Sequence, residues 1–301
     1  MAGFENYAMR MRVSLFAAAF FAAADAHAQA LKLEMPAQSK PGAVVKLTVI
    51  SPAGSDSIVA VEGTMSGEQL HFHRSRLREW HAIGPVSPDA RVNAKAIAVV
   101  TRASRRVDTL VATTGIPATP ASHGKPPALS VSARFTQPLD SATQARIDRE
   151  NATAREIGRK SHDTPTLYTT PFGRPRGSIV TSPFGSGRLF NGTLTSRHLG
   201  VDFRGKTGDP IVAANRGVVA LVDNFFLAGN VVYIDHGAGV VTAYFHMSKT
   251  LVAKGDTVER GQTIGLVGAT GRVTGPHLHW SARYGTLTVN PLDLVALGSS
   301  W

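Results

Sequence analysis

From Tyr168 onward, strand-like runs follow one another with almost nothing between them. "GSIVTSPFG", "GVVALVDNF", "NVVYIDHG", "VVTAYFHM" and "QTIGLVG" are separated by short glycine-bearing turns. Two parallel strands need a crossover of a dozen or more residues, which such turns cannot supply, so this region must be antiparallel β. "DHGAGV" (235–240) and "AKGDTV" (253–258) read as its hairpin turns. Leu31 to about Thr136 carries the same signature in "AVVKLTVI", "SIVAVEGTM", "QLHFH", "AKAIAVVT" and "VDTLVATT". Several short strands at this spacing predict a small sandwich. A Pro-rich loop, 116–128, then leads to a last predicted strand, "LSVSARF". Between the two β regions, 138 to about 160 is rich in helix formers, and Ser141 with Gln144 reads as a capping box. Its apolar stripe is thin, which predicts a connecting helix. The expected fold is mainly β, with a sandwich at 31–136, the helix at 138–160 and an antiparallel domain at 168–301.

The first 28 residues belong to neither region. Arg10 and Arg12 precede an apolar run from Val13 to Ala24, and Ala26-His27-Ala28 closes it. This is the order of a secretory signal peptide, and the run is too short for the roughly 20 residues that span a bilayer. An exported chain without a transmembrane anchor is therefore expected. The formal net charge of +11 survives removal of this segment, because its two arginines balance Glu5 and Asp25. A basic exported protein suits an anionic polymer or membrane surface. Nucleic acid is a poor fit, since no basic patch is interleaved with aromatics.

The chain has no cysteine, so a metal would need His, Asp or Glu. "SRHLGVDF" sets His198 and Asp202 four residues apart. On a straight strand that spacing is roughly 13 Å, too far for one ion, but a bend at Gly200 would close it. "TGPHLHW" sets His277 and His279 on one side of a strand, roughly 6.6 Å apart. Both could reach one metal, or one could hold it while the other faces a bound water. His71 and His73 in "HFH" have the same spacing with nothing around them to support a site. The combination says more than the parts: three N/O ligands with one open position is the arrangement of a catalytic zinc. His246 in "YFHMS" would then be free to act on water or a developing oxyanion.

"HLGVD" (198–202), "YFHMS" (244–248) and "TGPHLHW" (274–280) resemble the three signature segments of the LytM/lysostaphin-type zinc metallopeptidases, the M23 family. "KGDTVERGQTIGLVGATG" and "VNPLDL" fit the same wording, and the resemblance covers about residues 168 to 297. The segment 31–136 looks like the Ig-like amino-terminal domain of some members. The resemblance implies one zinc ion on His198, Asp202 and His279, with His246 and His277 as catalytic residues. It also implies a periplasmic or wall-associated endopeptidase acting on peptidoglycan, a D,D cross-link being favoured over a glycine bridge. Asn191 falls near the family's cleft and receives no role. His236, at a hairpin turn, reads as structural, and His71, His73, His81, His123 and His162 as exposed or satisfied polar residues. The alternatives are a non-catalytic wall-binding module or activator of another hydrolase, and a structural protein whose histidines only store metal.

Overall fold

The computed structural model describes residues 30–117, 128–192 and 194–298. The expected signal peptide and most of the Pro-rich loop, His123 included, lie outside these residues. The sandwich region contains β1 (Lys32–Glu34), β2 (Val44–Ile50), β3 (Ile58–Met65) and β4 (Glu68–His71), then β5 (His73–Arg76), β6 (Glu79–Pro85), β7 (Asn93–Arg102) and β8 (Val107–Gly115). They form two antiparallel sheets, ordered β1-β2-β6-β5 and β4-β3-β7-β8. Alternation along β2 and β7 turns Leu47, Val49, Ala96, Ala98 and Val100 into one shared apolar layer, all of them fully buried. "QLHFH" is not the single strand expected. The chain leaves one sheet at His71 and enters the other at His73, so Phe72 is the crossing point. Strand β6, "EWHAIGP", was missed because its mixed composition hides the period.

The stretch "LSVSARF" is likewise not a strand. Only β9 (Ala128–Leu129) is extended, and a 3-10 turn covers Ala133–Phe135. The next element, α1 (Ser141–Ser161), begins one residue earlier in capping terms than Ser141 predicts. Asp140 is the cap, its carboxylate accepting from Thr143 N at 2.6 Å.

The C-terminal domain comprises β10 (Val180–Ser182), β11 (Gly187–Phe190), β12 (Leu194–Arg197), β13 (Val201–Arg204), β14 (Pro210–Val212) and β15 (Gly217–Phe225). It continues with β16 (Gly229–Gly237), β17 (Val240–Thr250), β18 (Thr257–Val258), β19 (Thr263–Val267), β20 (His277–Tyr284), β21 (Leu287–Val289) and the short helix α2 (Pro291–Ala296). Its ten-stranded sheet runs β10-β13-β20-β17-β16-β15-β18, with β14, β19 and β21 attached at the sides, and every pair in it is antiparallel. "DHGAGV" makes the β16–β17 hairpin as expected. "AKGDTV" does not close a hairpin, because β18 pairs with β15 instead of β17.

Alternation on β20 divides the sheet into two faces. Leu278, Trp280, Ala282 and Tyr284 enter the main core. His277, His279, Ser281 and Arg283 project from the opposite face. Helix α1 lies on that opposite face, where Ala154 and Ile157 meet Phe225, Val231, Tyr233, Val241 and Ala243. The linker also reaches the domain, since β9 pairs in parallel with β11. The sandwich docks on the far side of the sheet's core: Tyr284 donates its hydroxyl to Gln69 O at 2.9 Å, and Asp293 accepts Val44 N at 3.0 Å. Among the described residues no helix is long and apolar enough to cross a membrane.

Candidate metal centre

Strand register assembles the centre. Asp202 on β13 stands directly opposite His279 on β20, and His279 stands opposite Phe245 on β17. Directly opposed residues of an antiparallel pair share a face, so the Asp202 carboxylate and the His279 ring must meet. His198 arrives from outside the sheet, at the end of β12. The chain bends at Gly200 and brings the His198 ring over Asp202. His198 Nε2 lies 2.9 Å from His279 Nδ1 and 3.1 Å from Asp202 Oδ1, and His279 Nδ1 lies 2.9 Å from the same oxygen. Two ligand atoms roughly 2.0–2.1 Å from one tetrahedral ion are about 3.3 Å apart, a few tenths more than these edges. A bound metal therefore fits with a small outward shift of each side chain.

Gly200 is needed for space rather than for an unusual backbone angle. A Cβ there would collide with the His279 ring and sit 2.8 Å from the Trp280 carbonyl. Phe245 stacks on the other side of that ring, with centroids 5.1 Å apart and planes 6° apart.

The hydrogen bonds fix which nitrogens are available. His198 Nδ1 is 3.0 Å from the Pro183 carbonyl, which can only accept. In the neutral ring the proton sits there, and Nε2 turns a lone pair toward His279 and Asp202. Burial would raise the Asp202 pKa, but the close His198 and His279 rings outweigh it and hold the carboxyl well below the ordinary carboxylate range. Burial pushes His279 down to about 4 against the pull of Asp202. Asp202 is thus a carboxylate and His279 a neutral imidazole, the forms in which such groups bind a cation.

His246 and His277 flank this triangle. Their ring centroids are 5.0 Å apart, and His277 Nε2 lies 3.6 Å from Asp202 Oδ1. His277 Nδ1 donates to Gly275 O at 2.8 Å and His246 Nδ1 to Thr270 O at 2.8 Å. Each neutral ring therefore keeps a bare Nε2. That of His277 is buried without any hydrogen-bond partner, the kind of orphan a ligand or water at the centre would satisfy. His246 sits in a bulge of β17: between the pairs Asn230–Met247 and Val232–Tyr244, two residues face one. Its φ of +63° places it in the left-handed region, a strained setting for a non-glycine residue and common at functional sites. Burial, then His277 and His279, push its pKa well below the usual imidazole value.

The structure thus gathers His198, Asp202, His279, His246 and His277 at one place. His236 stands apart, fully buried, with Nδ1 donating to Arg216 O at 2.7 Å and Nε2 paired with the Thr242 hydroxyl at 2.7 Å. Asn191 is not at the triangle. Its side chain staples the linker, accepting from Val131 N and donating to Val131 O, both at 2.9 Å. Sequence reasoning missed two arginines at the centre. Arg188 on β11 donates to Asp202 Oδ2, and Arg272 lines the cleft beside His246. The only signal for Arg272 was its place in "GATGR", just ahead of the HxH segment.

Residues 196–291 match the family model described as Peptidase family M23. Peptidoglycan DD-endopeptidase ShyA of Vibrio cholerae is 53% identical over 83 residues, covering 28% of this chain and 19% of that protein. Peptidoglycan DD-endopeptidase ShyC of the same organism is 42% identical over 113 residues, 37% of this chain and 26% of that one. DD-carboxypeptidase/endopeptidase Mpg of Neisseria meningitidis is 41% identical over 116 residues, 38% and 26% of the two chains. The chain thus spans about a fifth to a quarter of the length of these curated relatives. A crystal structure from Pseudomonas aeruginosa, described as an M23 peptidase, superposes with a TM-score of 0.64 at 26% identity. It covers 86% of this chain and 95% of its own, so the shared fold extends into the sandwich and α1.

Proposed function

We propose that this chain, which carries a domain of peptidase family M23 at residues 196–291, is a zinc-dependent endopeptidase that hydrolyses peptide cross-links of bacterial peptidoglycan. The observation that carries the reading is the convergence of His198 Nε2, Asp202 Oδ1 and His279 Nδ1, with two further imidazoles turned toward the same point. The names of the relatives, two DD-endopeptidases and a DD-carboxypeptidase/endopeptidase, support D,D cross-links over glycine bridges. An expected signal peptide at 1–28 and a wall substrate agree on the periplasm or cell wall as its place of action.

His198, Asp202 and His279 would hold the ion. When bound there, zinc supplies a Lewis acid for a peptide carbonyl and acidifies a water to a pKa of about 7. The protein's own work falls to His277 and His246. Both donate Nδ1–H to a carbonyl, so each must first accept a proton at Nε2. The nitrogen that has accepted one can then donate a hydrogen bond to the oxyanion or pass the proton to the leaving amine. Main-chain carbonyls of Thr270 and Gly275 hold the rings in the orientation this exchange needs. The bent "HLGVD" segment and the stacked Phe245 ring keep the third ligand from rotating away.

The test is release of soluble peptide from purified cell wall, with products identified by mass spectrometry. Chelator should abolish release and zinc restore it. His246→Ala and His277→Ala should each lower the rate about 10²- to 10⁴-fold while the zinc content stays the same. Release that is indifferent to chelator, or unimpaired in both variants, would sink the proposal.

A further inference from the structure

Four arginines line the cleft of about 260 Å³ beside the triangle: Arg188, Arg197, Arg272 and Arg283. Three already have partners. Arg188 is bound to Asp202, and Arg197 reaches Asp89 of the sandwich at 2.7 Å. Arg283 donates to the Thr286 carbonyl and to Thr288 Oγ1. The Arg272 guanidinium, in contrast, has neither an acidic partner nor a hydrogen-bond acceptor among the described residues. It lies over the Phe190 ring, its Cζ 4.4 Å from the centroid, and is half-buried. Both burial and the charge of Arg188 act against it.

Its position is fixed with unusual tightness. Gly271, at φ +77°, packs against the β15–β16 turn, where a Cβ would meet Gly229 N and Leu227 O. Arg272 N donates to Leu227 O at 2.8 Å. Two residues earlier, the Thr270 carbonyl is the acceptor that orients His246. One short segment therefore sets both a proton-handling ring and an unpaired cation. Phe190 covers one side of that cation and leaves its planar N–H fork without an acceptor among the described residues. A planar fork of this kind matches a carboxylate.

We propose that Arg272 is a carboxylate-reading subsite, which holds a free carboxylate on the residue whose amine forms the scissile bond. This rests on the endopeptidase reading above and narrows its substrate. A D,D cross-link made through a diamino acid carries such a carboxylate next to the cut, and the interior of a glycine bridge carries none. Arg272 thereby becomes a specificity-determining residue and not a catalytic one.

The test uses the zinc-loaded full chain with two probes, an N-acylated D-alanyl-D-alanine and its carboxamide. Binding is measured by calorimetry on His277→Ala, which slows turnover, and cleavage on the parent. The parent should favour the acid about 10- to 100-fold, the range of a charge-assisted hydrogen bond. Arg272→Gln should erase that preference, chiefly through KM, with zinc content and kcat nearly unchanged, and Arg272→Lys should keep part of it. An acid-to-amide ratio that is near one in the parent, or unmoved by Arg272→Gln, overturns the proposal. If the parent binds the acid preferentially through Arg272 yet cleaves neither probe nor purified wall, the subsite stands and the endopeptidase reading falls.

Discussion

The molecule contains two His-x-His segments with identical spacing and opposite fates. His277 and His279 occupy one unbroken strand, point to one face and meet Asp202. His71 and His73 straddle Phe72, where the chain passes from one sheet of the sandwich to the other. His71 turns to the domain junction, its Nε2 2.8 Å from His162 Nδ1, and His162 Nε2 lies 3.0 Å from Glu68 Oε2. His73 turns outward, edge-on to His81 at 6.1 Å. A two-residue spacing measures a common face only when the strand carrying it is continuous and its neighbours supply the third ligand.

The sharpest way to break this contrast is to remove one member of each pair. His279→Ala should weaken zinc binding by about 10³-fold or more in a competitive chelator titration, while His71→Ala with His73→Ala together leave it unchanged. Zinc lost from the second variant would mean that the two segments are not different in kind.

His236 offers a third case, a buried histidine fully used by the fold. Its pKa falls from the ordinary imidazole value of 6.5 to about 4, mainly through burial. Between those values the unfolded chain binds the extra proton and the folded chain does not, so stability rises with pH across the window. The contribution is complete above about pH 6.5 and lost as pH falls to about 4, a change of about 3 kcal/mol. Urea unfolding of metal-free protein should show this slope, and His236→Gln should flatten it by that amount. An unchanged slope in the variant would show that His236 does not titrate as its surroundings require.

Gly200 tests the local packing that makes the continuous strand productive. Gly200→Ala should reduce zinc affinity about 10- to 100-fold by displacing the His279 ring, with the sandwich unaffected. The smallest effect belongs to the junction: His71→Ala should cost about 1 kcal/mol of stability and no zinc, as read by calorimetry and metal analysis.

What could be read from the sequence follows the same division. Antiparallel β was legible because the turns are too short for any alternative. That His198, Asp202, His246, His277 and His279 belong together was legible because each rides on a segment whose own wording marks it, and the fold does gather them. Gly200 was singled out for the right bend but the wrong reason, since only the folded chain brings the His279 ring against it. The broken strand at Phe72, the mixed strand at Glu79–Pro85 and the two-residue strand at Ala128–Leu129 depend on partners distant in sequence, which alternation cannot reveal. Arg188 and Arg272 escaped for a related reason. A surface-like arginine carries no periodic signal, and its meaning here comes from which other charges the fold brings near it.

Helix α1 looks like a tether in the sequence and is a wall in space. Ile147, Glu150 and Asn151 line the same cleft as His246 and His279, though they precede the family-matched segment by about 45 residues or more. The candidate metal centre and the shape of the groove beside it therefore reside in separable pieces of the chain. Exchanging 138–161 for a different helix would recut the groove while leaving every metal-facing atom in place.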